Sequence, residues 1–236
     1  MKKVLFAAIC AAAFTLGAEE VVLSKAKKFF PLSRKVRIDA SKNYTLTVKT
    51  KGGKGKLLLC FFQYNETQRR IGAAQVWGNA DSVTELVGPA IRGAKEFVVK
   101  DASKWKKPSS GSATNIVAFN AKADGSDLPN FTIDYYIKAI TKMPDGTWKI
   151  EMRTPLRRSC RSGALVRQHY DGGHLSVTAP LPSDKVFSAQ IKAAKGLGPN
   201  VGAWWPGTKF IQLSAMTTGD EPVTVTEWSL KETAAK

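Results

Sequence analysis

The chain has 236 residues, 43% of them hydrophobic and 23% charged, a composition that excludes a disordered or collagenous chain and can bury a sizeable core. Three cysteines are too few for a disulfide-built scaffold. Charge is the outlier: 36 Lys and Arg against 19 Asp and Glu give +17, which favours acidic partners and says nothing about fold.

The N-terminus reads as a secretory signal peptide. Lys2 and Lys3 form a positive start, residues 4–16 an apolar run, and Gly17-Ala18 a small-residue exit before Glu19 and Glu20, which places cleavage after Ala18. The run is too short for a bilayer span of about 20 residues, and no later segment comes closer, so no membrane span is expected. Removing residues 1–18 takes away two lysines and no acid, leaving a strongly basic chain. The expected location is secreted, periplasmic or cell-surface, and the Lys-Lys start looks bacterial. Cys60 and Cys160 then sit where a disulfide can persist. Bridging them would contribute roughly 4.7 kcal/mol by chain entropy. The alternative is two buried free thiols, since Cys60 lies in the apolar run 57–62.

From there the chain reads as strand after strand. Residues 35–39 and 44–49 alternate apolar and polar side chains, and residues 57–64 form a continuous apolar run suited to a strand buried on both faces. Further strands are expected at residues 82–87, 96–100, 115–121, 131–140, 148–153, 164–170, 175–179, 187–193, 210–216 and 223–231. Turn chemistry separates them, as in Lys51-Gly52-Gly53, Pro144-Asp145-Gly146 and Asp171-Gly172-Gly173. Helical periodicity is nearly absent. The expected fold class is all-β, an antiparallel two-sheet β-sandwich, as a single domain over residues 19–236. No repeat of constant period points to a propeller or solenoid.

Several stretches then carry a resemblance. They are the early strand Tyr44-Thr45-Leu46-Thr47-Val48, the run Phe61-Phe62-Gln63-Tyr64 with its polar turn closed by Ile71-Gly72, and Glu96-Phe97-Val98-Val99-Lys100. Later come Gly163-Ala164-Leu165-Val166-Arg167-Gln168-His169, Trp205-Pro206-Gly207, and the closing strand Val225-Thr226-Glu227-Trp228-Ser229-Leu230. In this order they resemble the jelly-roll, carbohydrate-binding-like modules of secreted bacterial polysaccharide-degrading systems. Such modules often write the closing strand with paired aspartates, and Thr226 stands in place of one of them. The resemblance implies a jelly-roll topology and sugar binding without catalysis.

Catalytic constellations fail on inventory. The two histidines, His169 and His174, have no cysteine or further histidine at zinc-ligand spacing. No Gly-x-Ser-x-Gly elbow and no phosphate-cradling glycine loop occurs. Asp134 and Glu151 both fall in strands, as a glycosidase pair could, but lysines and arginines alternate with them. They are expected to pair with Lys138, Lys149 or Arg153 on a solvated face. The reading is therefore not an enzyme, with glycoside hydrolase or lyase activity a distant alternative, and no cofactor or metal is expected.

Binding chemistry is better represented. A sugar site wants flat aromatics and planar polar groups. Trp148 and Trp228 follow strand alternation and belong in the core, Trp105 belongs at a sandwich edge, and Trp77 and Trp204-Trp205 lie at turns, exposed or capping the core. Arg167 and His169 project on one side of an otherwise apolar strand, and Arg153 and Gln212 interrupt apolar stretches similarly. With Tyr136 and Asp134, these four are expected to line one polar groove. Arg grips a carboxylate or sulfate through two parallel hydrogen bonds. The expected partner is a glycan, anionic polysaccharide above all. The alternative is a structural or interaction protein of the bacterial cell surface with no sugar site. Nucleic acid is not expected, since no recognition motif is present.

Overall fold

Alternation decides which side chains meet. In β5 (Asn43–Gly52) and β6 (Gly55–Tyr64), Tyr44, Leu46 and Val48 on one strand and Leu57, Leu59 and Phe61 on the other are all buried. The two strands are joined at Gly52-Gly53, both at positive φ, and a Cβ on Gly53 would stand 2.9 Å from the Val223 Cβ, so the corner needs glycine. The computed structural model describes residues 20–24, 28–108, 115–181, 186–198 and 201–233, together with the backbone of Ala13–Phe14. Apart from that pair, the expected signal peptide lies outside the described residues.

The remaining strands, in chain order, are β1 (Ala13–Phe14), β2 (Val21–Leu23), β3 (Phe30–Pro31), β4 (Val36–Arg37), then after β6 the short β7 (Arg70–Ile71) and β8 (Thr84–Glu85). They continue as β9 (Glu96–Val99), β10 (Ile116–Phe119), β11 (Ile133–Tyr135), β12 (Ile137–Lys142), β13 (Trp148–Met152) and β14 (Leu165–His169). The last four are β15 (Leu175–Leu181), β16 (Phe187–Ile191), β17 (Phe210–Thr217) and β18 (Val223–Thr233). One turn of helix, α1 (Ala73–Val76), follows β7.

The fold is all-β, with antiparallel sheets. One sheet runs β2–β18–β5–β16, and the sheet facing it runs β3–β17–β6–β15. Taken in chain order, these eight strands pair first with eighth, eighth with third and third with sixth in one layer. In the other layer, second pairs with seventh, seventh with fourth and fourth with fifth. That is the double Greek key of a jelly roll. Its core holds Leu46, Val48, Leu57, Leu59, Phe61, Leu213, Val225 and Leu230. A register shift in β18 between Val225 and Glu227 adds one residue, a bulge that lets Val225 and Trp228 both turn inward.

Between the fourth and fifth jelly-roll strands the chain leaves to build a second pair of sheets, β11–β10–β14–β8 and β12–β13–β9. Their own interior contains Phe97, Val99, Val117, Phe119, Ile137, Ile150, Met152 and Val166. The single sandwich core expected from sequence is thus two nested cores, because strands with the same alternation close on different partners. The stretch expected as one strand at 131–140 breaks at Tyr136, whose φ of 74° turns the chain from one sheet into the other. Residues 187–191, equally readable as a helical turn, form strand β16.

The consecutive tryptophans point opposite ways. Trp204 sits in the jelly-roll core, edge-on to Tyr44 and Phe61 at 5.6 and 5.2 Å between ring centres. Trp205 enters the junction between the two cores, against Trp77, Ile71 and Val76. The disulfide considered from sequence is not formed. Cys60 and Cys160 are free and buried, Cys60 on β6 between Ser176 and Ser214, and Cys160 in the second core, its thiol donating to Asn120 Oδ1 at 3.2 Å. Burial pushes the Cys60 thiol up to about 12, against the pull of Arg70.

Candidate functional site

The six residues expected to line one groove divide into four places. Arg167 and His169 share one side of β14, as alternation requires, but both are wholly buried. The Arg167 guanidinium forks onto the Asp127 carboxylate (3.2 and 2.8 Å), donates to the Lys122 carbonyl (3.1 Å), and donates through Nε to His169 Nε2 (2.9 Å). His169 Nε2 is therefore unprotonated, and Nδ1 donates to the Ala74 carbonyl at 2.8 Å. Burial first, and then the charge of Arg167, bring the imidazole down to about 4. Every strong donor and acceptor of this cluster is used internally, so it holds structure and does not face a ligand.

Asp134 lies on the opposite face of the same sheet. It is in register with Val117 and Gln168, whereas Arg167 is in register with Ala118 and Ile133. Asp134 is buried and not on a solvated face, and its partner is Arg157, through Nε at 2.6 Å, not Lys138, Lys149 or Arg153 as expected. Glu151 pairs with Lys149 and Lys138 as expected. Tyr136 and Arg153 are exposed at the adjoining corner, where the Arg153 N–H donates to the Tyr136 carbonyl at 2.8 Å. Gln212 is on β17 in the jelly roll. No single groove unites the six.

What Gln212 does join is a sheet face that the apolar look of residues 57–64 conceals. Leu57, Leu59, Phe61 and Gln63 point into the jelly roll, so Leu58, Cys60, Phe62 and Tyr64 line its outside. Register then fixes the neighbours. Tyr64 stands opposite Arg70 on β7 and Phe210 on β17, and Phe210 opposite Arg37. Phe62 stands opposite Gln212. His174, just before β15, meets Phe62 edge-on at 5.2 Å, and Phe29 meets the same ring at 5.8 Å. The rings of Phe29, Phe62, Tyr64 and Phe210 are half-buried.

Cations lie over these rings. Lys35 Nζ is 3.8 Å from the Tyr64 ring centre, Arg70 4.3 Å from Phe62, and Arg37 5.2 Å from Phe210. Such contacts are worth about 0.5–1 kcal/mol at exposed sites. Arg37 is also forked onto Glu66 at 2.9 and 3.0 Å. Among the described residues, no carboxylate lies in ion-pair range of Lys35, Arg69 or Arg70. Gln212 accepts weakly from the Tyr64 hydroxyl (3.4 Å) and donates to the Ser33 carbonyl (3.2 Å). Burial and nearby Arg70 lower the His174 pKa, with Asp171 opposing. Beside the face opens a cleft of about 860 Å³ lined by Gln212, Ser33, Arg34, Phe30, Thr226 and Trp228. The arrangement presents aromatic faces, a planar amide and cations without an acidic partner among the described residues on one surface. Sequence reasoning missed Phe62, Tyr64, Arg70 and Lys35. For Phe62 and Tyr64 the signal was the alternation within the apolar run 57–64.

Among the described residues, no helix is long and apolar enough to cross a membrane. No family model matches the sequence, and no curated protein matches it. Among solved structures, VP17, a capsid protein of bacteriophage P23-77, is similar at 10% identity over 94% of this chain and 100% of that one, with a TM-score of 0.17.

Proposed function

We propose that this is an exported, non-catalytic glycan-binding protein that takes anionic polysaccharide on the outer face of the β15–β6–β17 sheet. One observation carries the reading: half-exposed Phe62 and Tyr64 lie beside Gln212 and beneath Arg70 and Lys35, cations with no acidic partner among the described residues. Sugar rings stack their C–H faces on aromatics, while uronate or sulfate groups draw the guanidinium away from its own ring. The excess of basic residues over the whole chain adds a long-range attraction for such polymers.

A second reading has its own support. The same cations rest on the rings and half cover them, as they would on a cell-surface structural or interaction protein with no sugar site. A glycan array followed by calorimetry at low and moderate salt separates the two. Binding of uronic or sulfated glycans that weakens with salt, and that is lost in Arg70→Ala, is expected. Failure to bind any glycan, together with retention in envelope fractions, would leave the structural reading.

A further inference from the structure

The outer face does not end at the jelly roll. Arg69, which immediately precedes β7, lies 3.9 Å over the ring of Phe131, two residues before β11 of the inserted pair of sheets. Two alternations further along, Tyr135 is half-buried beside Tyr136, their rings 5.9 Å apart, with the Arg157 guanidinium 5.9 Å over Tyr135. Burial first, and then the charge of Asp171, raise the Tyr135 phenol, and the same charge opposes the lowering at His174. Arg69 over Phe131 thus joins the turn beside the Phe62 face to the segment whose strand β11 ends at the Tyr135–Tyr136 corner.

Tyr136 itself is conspicuous. It is 55% exposed and holds a φ of 74°, a conformation that is unfavourable for a bulky side chain. The backbone enforces it: the Tyr136 N–H donates to the Asn115 carbonyl at 2.6 Å, and its own carbonyl accepts from Arg153 at 2.8 Å. Such enforced strain at an exposed ring is a feature of built binding sites. Glycine would satisfy the turn better, so the ring is present for a reason other than the turn.

We propose that Tyr136 is a second contact platform, and that the ligand is an extended anionic polysaccharide chain lying across the junction from Phe62 and Arg70 to Tyr136 and Arg153. This rests on the glycan-binding reading of the outer face. Linking two weak patches through one chain raises affinity by effective concentration, without any stronger individual contact.

The test is a length series of oligogalacturonates, from monomer to polymer, and a parallel sulfated series, titrated against the full chain and against Tyr136→Gly. That variant relieves the positive φ and is expected to fold with unchanged or higher thermal stability. Affinity should climb with length in at least one series, and Tyr136→Gly should weaken the polymer by about tenfold while leaving the monomer unchanged. Asp171→Asn, which removes an acid whose charge acts on both His174 and Tyr135, should tighten polymer binding severalfold. If monomer and polymer bind equally well, or Tyr136→Gly leaves polymer binding intact, the extended mode is wrong while the outer-face site survives. If neither series binds at any length, both fall.

Discussion

Protonation of His169 should set the acid limit of this fold. The imidazole is wholly buried and accepts the Arg167 Nε–H while donating to the Ala74 carbonyl. A proton on Nε2 would abolish that acceptance and place two cations in contact. The native pKa is accordingly lowered from 6.5 to about 4, so between those values the unfolded chain binds a proton that the native state refuses. Stability from this group is complete above pH 6.5 and is lost as pH falls toward 4. At 1.36 kcal/mol for each pH unit, the loss amounts to about 3 kcal/mol. Urea unfolding of the protein and of His169→Gln across pH 7 to 4.5 measures it as the difference between two slopes. His174, lowered in the same direction, contributes equally to both curves and cancels. Parallel pH dependences for the two proteins would refute the reasoning, whatever their absolute stabilities.

Three further outcomes follow from packing. Gly78→Ala puts a Cβ 2.6 Å from Arg167 Nε and 3.0 Å from Leu197 Cδ2. It should lower stability by about 1–3 kcal/mol, read as a reduced midpoint in urea. Trp204→Ala empties the jelly-roll core between Tyr44 and Phe61 and should cost about 3–5 kcal/mol, with loss of near-ultraviolet dichroism. Cys60, with its thiol pushed up to about 12 and wholly buried, should resist iodoacetamide at neutral pH until the chain is unfolded, and mass spectrometry should find Cys60 and Cys160 unbridged.

The strands were largely legible because alternation and turn residues are local signals. Residues 44–49, 57–64 and 210–216 were expected as strands and lie within β5, β6 and β17. The short pieces β2, β3 and β7 were not, since two or three residues carry no period, and their pairing is imposed by the longer strands they border. The second core was hidden for a different reason. Strands β9 and β13 alternate like those of the jelly roll, and alternation states that a strand has two faces without stating which sheet each face meets.

That distinction also explains where the groove reading failed. Alternation correctly set Arg167 and His169 on one side of β14, away from Val166, which packs into the second core. The inference that this other side faces water assumes a sandwich with only one covered face per sheet. Here α1 covers it: Ala74 packs among Ile116, Ala118 and Ile133, and its carbonyl receives the His169 Nδ1–H. A buried arginine must then find its acceptors inside, and Asp127 with the Lys122 carbonyl supplies them. Conversely, the outer face of β6 looked like core because Leu58, Cys60, Phe62 and Tyr64 are apolar or aromatic. Cys60 is wholly buried there, while Phe62 and Tyr64 are half-covered from outside by Phe29 and by cations drawn to the rings. In a nested β fold, polarity along a strand thus predicts how well a face is satisfied rather than whether solvent reaches it, and a half-covered aromatic row beneath Arg70 and Lys35, which have no acidic partner among the described residues, is the stronger pointer to a binding surface.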